Sequence, residues 1–129
     1  MRALVKVSPN DSGGFTLVEV LMAMLIMTVG LLGLLRSVSA AYEHTLRNRL
    51  REEAVAVAEE QMNNLITTLD CAAATTVRVI GGVDKSFTVI KKAEPIGEES
   101  GSLRLKVVVH WGFKNQTSAH ELYRFKKAE

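Results

Sequence analysis

From Phe15 to Leu35 the chain is a largely apolar run with a single charge, Glu19. Twenty-one helical residues rise roughly 31 Å, close to the hydrocarbon thickness of a bilayer. An acidic side chain in such a segment is expensive, about 2.5–3.5 kcal/mol for an aspartate near the centre on insertion scales and less near an end. Glu19 therefore needs a positive partner, and its own apolar run contains none. The partner has to come from another chain or from a charge created by processing.

Residues 1–14 are short and polar, with Arg2, Lys6, Asp11 and the helix breaker Pro9, and they end in Gly13-Gly14. A secretory signal peptide is cut behind an apolar core of about 7–15 residues. Here the apolar run is longer and passes smoothly into an amphipathic pattern, so a cut behind it would break a helix. A plain membrane anchor fits the length but explains neither the Gly-Gly junction nor Glu19. A cut between Gly14 and Phe15 explains both. It frees an α-amino group one helical turn from Glu19, and the glycine lets a protease approach the backbone closely.

Gly14-Phe15-Thr16-Leu17-Val18-Glu19 and the apolar residues after it resemble the prepilin signature of type IV pilin-like proteins. Glu19-Val20-Leu21 and Val29-Gly30-Leu31-Leu32-Gly33-Leu34 are most similar to PilV-type minor pilins and to the I-type pseudopilins of type II secretion. The resemblance implies cleavage after Gly14 by a membrane prepilin peptidase and N-methylation of Phe15. It also implies assembly in which Glu19 pairs with the terminal amine of an adjacent subunit. Such a subunit starts as a single-pass protein of the bacterial inner membrane with a periplasmic C-terminal domain, then enters a pilus or pseudopilus. Many major pilins carry a proline in the apolar half of the helix; here none lies between Pro9 and Pro95.

Beyond Tyr42, Leu46, Leu50, Ala54, Val57, Ala58, Met62, Leu65, Ile66 and Leu69 recur at steps of three and four and predict one apolar stripe. The helix is expected over residues 15–69, roughly 80 Å if unbroken. Asp70 to Thr76 reads as a connection, after which the period becomes two. Short strands are expected around Val77 to Ile80, around Phe87 to Lys91, from Leu103 to Phe113 and from His120 to Lys126. Gly81-Gly82, Glu94 to Ser102 and Lys114 to Thr117 join them. The fold class is α+β: a long N-terminal helix, membrane-spanning in its first half, with a small antiparallel sheet packed on its second half. The expected divisions are a leader at 1–14, a membrane or filament-core helix at 15–35, its amphipathic continuation at 36–69 and the sheet domain at 70–129. Sixty residues make a thin core, and the helix supplies the missing layer.

The residues predict no enzyme. His44, His110 and His120 are widely spaced and show no metal-ligand spacing with Cys71, although His110 and His120 flank one turn. No phosphate-binding loop, zinc-protease helix or nucleophile elbow occurs. A lone cysteine excludes an intrachain disulfide. Met22, Met24 and Met27 belong to the apolar helix, and Trp111 reads as a core aromatic. Lys91-Lys92 and Lys126-Lys127 form a basic patch only if their strands are neighbours. A net charge of +2 with interleaved signs argues against nucleic acid, and no cofactor or small-molecule substrate is expected. The reading is a structural minor pilin. The alternatives are a minor pseudopilin, a DNA-uptake pilin and a membrane-anchored binding module.

Overall fold

The computed structural model describes residues 13–97 and 101–127. Most of the expected leader and the middle of the expected 94–102 loop lie outside these residues. Helix α1 spans Leu17–Thr68, and four strands follow: β1 (Ala74–Ile80), β2 (Val83–Ile96), β3 (Ser102–Phe113) and β4 (Gln116–Lys127). The chain divides into two compact units, Met1–Ala40 and Ala41–Glu129.

In the first unit every described side chain is exposed. Leu17 to Leu35 presents large apolar groups all round the helix, and α1 is long and apolar enough to cross a membrane. A helix that is apolar on every face suits lipid or a bundle of other helices. Thr28 satisfies its hydroxyl by donating to the carbonyl of Met24 at 2.7 Å, as a polar group in an apolar medium requires.

The second unit has a two-layer core. Leu50, Ala54, Val57, Ala58, Met62 and Leu65 are fully buried on one stripe of α1, with Leu46 and Ile66 partly buried beside them. Full burial of each larger side chain contributes about 1.5–3 kcal/mol. They pack on the inner face of a four-stranded antiparallel sheet of order β1-β2-β3-β4. Phe87, Val89, Leu105, Val107, Val109, Trp111 and Phe113 are the inward residues, as the alternation in sequence requires. Phe87 and Trp111 stand directly opposite one another, with ring centroids 6.4 Å apart.

Leu69 does not join the stripe. It follows the last helical residue with φ 52°, donates its N–H to Leu65 at 2.9 Å and is 44% exposed. It is the left-handed cap of α1, a position where glycine is commoner because a side chain there is strained. Lys126 reinforces this end by donating to the Ile66 carbonyl at 2.7 Å.

The strands are longer than their alternation alone predicts. β1 begins at Ala74, inside the expected connection, and β4 begins at Gln116, leaving only Lys114 and Asn115 in the turn. β2 continues through Glu94 and Pro95 to Ile96, where a loop was expected. Pro95 is tolerated because β1 stops pairing at Ala74–Val89, so the last part of β2 is itself a sheet edge. Gly81 and Gly82, with φ of 61° and 79°, make the tight turn between β1 and β2.

Candidate processing and assembly site

Gly13, Gly14 and Phe15 precede α1 and are exposed. A Cβ built at either glycine would meet no atom within 4 Å, so no described side chain crowds the junction. Helix α1 then starts on a cap. The carbonyl of Thr16 accepts the N–H groups of Glu19 and Val20 at 3.1 and 3.2 Å, and its side-chain oxygen also accepts the Glu19 N–H at 3.3 Å. Thr16 is the N-cap and Glu19 the third helical residue, the spacing of a capping box. The sequence reading gave Thr16 no role, yet Thr-x-x-Glu at the head of an apolar run carries the signal.

Phe15, Glu19, Ala23 and Met27 recur at steps of four and share one apolar concavity with Val20 and Met24. Glu19 therefore stands on an apolar surface, and it forms no ion pair among the described residues. The helix itself offers Glu19 a favourable electrostatic partner. A carboxylate in the first turn faces the positive end of the macrodipole.

Residues 9–35 match the family model of the prokaryotic N-terminal methylation motif. With the long apolar helix, that motif fits a type IV pilin-like prepilin. The match starts at Pro9, within the polar segment, and ends at Leu35, the last residue of the apolar run. The prepilin motif implies processing by a prepilin peptidase, assembly with other pilins and anchoring of the apolar helix in a membrane. No curated protein and no solved structure matches the chain.

Gly30 and Gly33 lie farther along the apolar part of α1. A Cβ at either would meet nothing within 4 Å, so neither glycine is demanded by this chain's own packing. Small residues on an apolar helix let a neighbouring backbone come close.

The other candidate residues separate. His120 pairs with Val109 and His110 with Ala119, so the two histidines fall on opposite faces of the sheet. Flanking one turn, they nonetheless do not face each other. No group of three metal-ligating side chains forms among the described residues. The condition for a joint patch of Lys91-Lys92 and Lys126-Lys127 is not met, because β3 lies between β2 and β4. Lys91 points inward and is only 8% exposed, 3.9 Å from Asp70, while Lys126 turns to the end of α1. Cys71 is exposed just beyond that end.

Proposed function

We propose that this prepilin is a minor pilin, a non-enzymatic subunit that helps to prime or assemble a type IV pilus. The observation that carries the reading is Glu19, the single acid of an apolar helical stretch whose side chains are exposed, inside the methylation motif. Cleavage after Gly14 makes the missing positive charge at the amine of Phe15, which is then N-methylated. Glu19 pairs with that amine on an adjacent subunit. In an apolar filament core an unpaired charge costs several kcal/mol, so the pair selects one axial register over slipped ones. After cleavage the helix keeps its Thr16 cap, since the cap uses no atom of the leader.

Intact-mass and N-terminal analysis of membrane-extracted protein tests the processing. With prepilin peptidase present the chain should lose residues 1–14 and gain one methyl group, and without it neither change should occur. A chain that keeps its leader beside an active peptidase would sink the proposal. Glu19→Ala should be cleaved yet excluded from filaments, and normal incorporation of that variant would remove Glu19 from assembly. The same helix pattern fits a minor pseudopilin of type II secretion. Loss of exported hydrolases on deletion, with pili intact, would decide for that machine.

A further inference from the structure

Some of the charged side chains in the second unit occur in pairs. Arg78 meets Glu60 at 2.6 Å and Lys106 meets Glu121 at 3.2 Å, while Arg104 bonds Glu94 and Lys114 bonds Glu43. Arg47 and Arg51 are among the charged residues outside these pairs. One helical turn apart on α1, they flank buried Leu50, and neither forms an ion pair among the described residues. Glu43, the carboxylate four residues before Arg47, is taken by Lys114.

Both arginines line a cleft of about 210 Å³ between α1 and the end of the β3–β4 hairpin. Trp111 and Phe113 form its apolar wall, and the Arg47 guanidinium lies 5.3 Å from the Phe113 ring centroid. That stacking holds one planar fork in place before any ligand arrives. Gln116 and Ser118 come from the inward side of edge strand β4, and neither side chain has a hydrogen-bond partner among the described residues. No acidic residue lines the cleft.

We propose that this cleft binds a carboxylate, presented by an acidic side chain of a partner polypeptide. Two guanidinium forks match a carboxylate in geometry, and the amide and hydroxyl of β4 offer further donors. The aromatic wall takes the aliphatic stem of the incoming residue. The cleft holds one side chain. A nucleic-acid backbone needs a track of cations instead, and Arg49, the next arginine on the helix, does not line the cleft. The assignment stands apart from the filament role, because cleavage and assembly can fail while the cleft still binds.

Trp111 is the chain's one tryptophan, so its emission reports on the cleft directly. The full chain in detergent micelles is titrated with a blocked pentapeptide alternating glutamate and leucine. A saturable change in emission is expected, absent with the glutamine counterpart. Arg51→Gln should weaken binding at least tenfold, Arg51→Lys less, and Arg49→Gln not at all, with helical circular dichroism unchanged in each. Of the two arginines it is Arg47 that stacks on the Phe113 ring, so Arg51 variants stay informative even if Arg47→Gln loosens the hairpin end. No saturable signal, or equal affinity in Arg51→Gln, overturns the site. Saturation by a short DNA duplex or by inorganic phosphate, where the peptide gives none, overturns the carboxylate assignment.

Discussion

The side-chain oxygen of Thr16 accepts the backbone N–H of Glu19 at 3.3 Å, fixing the start of α1 at Leu17, two residues after Phe15. The contact ties Glu19 to the turn that follows the Gly14–Phe15 junction, the proposed site of cleavage. It places the Glu19 carboxylate where the helix dipole favours negative charge before any new amine exists.

Removal of this cap should be felt locally. Thr16→Ala is expected to cost about 1 kcal/mol at the helix start, and amide exchange at Glu19 should rise about fivefold. Thr16→Ser should exchange at nearly the original rate. Hydrogen exchange read by mass spectrometry in micelles provides the measurement.

Lys91 and Asp70 predict an asymmetry. The lysine side chain is 6% exposed and the aspartate 61%, at a separation of 3.9 Å. Exchanging the buried ammonium for an apolar group of similar shape removes a desolvation cost, so Lys91→Met should leave stability unchanged or raise it by about 1 kcal/mol. Asp70→Asn strips the ammonium of its counter-charge and should lower stability by about 1 kcal/mol, the loss being limited by solvent at the aspartate. Chemical denaturation followed at Trp111 separates the two outcomes.

A third expectation concerns acid. The hydrogen bond from Arg104 holds the Glu94 carboxyl below its usual range, and those from Tyr123 and then Lys106 do the same for Glu121. Both groups titrate lower folded than unfolded, so their stabilisation is complete above the unfolded carboxylate pKa. It is lost as pH falls through the depressed values. The denaturation midpoint should be flat from about pH 7 to about pH 5 and decline below about pH 4.3. The double variant Glu94→Gln, Glu121→Gln should decline less steeply. Added salt should weaken the effect, since all four partners are exposed or partly exposed.

The Gly81-Gly82 turn gives a fourth. Both residues have positive φ. A Cβ at Gly81 would lie 3.7 Å from the Tyr42 hydroxyl, an ordinary contact, and one at Gly82 would touch nothing. The cost of alanine is therefore conformational at both, about 1–2 kcal/mol each. Urea denaturation of Gly81→Ala and Gly82→Ala should give similar losses, and Gly81→Asn a smaller one.

The sequence made some parts legible and hid others, for identifiable reasons. The stripe from Leu50 to Leu65 and the inward set of β3 could be read because periods of 3.6 and 2 persist over many residues. Pro95 and Gly97 pointed to a loop, since turn chemistry is local. Whether Pro95 breaks a strand depends on where β1 ends, and no local signal carries that. Leu69 looked like one more stripe residue because its spacing fits. Only the left-handed backbone that closes the helix turns it outward. Thr16 was visible as a cap but was read only as part of a family signature. The Arg47–Arg51 cleft needs the hairpin end to fold back onto α1, and neither spacing nor charge along the chain announces it.

The sheet order β1-β2-β3-β4 means that every strand pairs with its neighbour in sequence. Each hairpin can thus zip up without closing a long loop, which favours quick folding. The stripe from Leu50 to Leu65 is made earlier, because α1 precedes every strand that covers it. During synthesis its apolar side chains wait uncovered until β2 and β3 have followed. The vulnerable interval of this protein is the passage of the forty or so residues between Leu69 and Phe113, when half of the core exists without the other half.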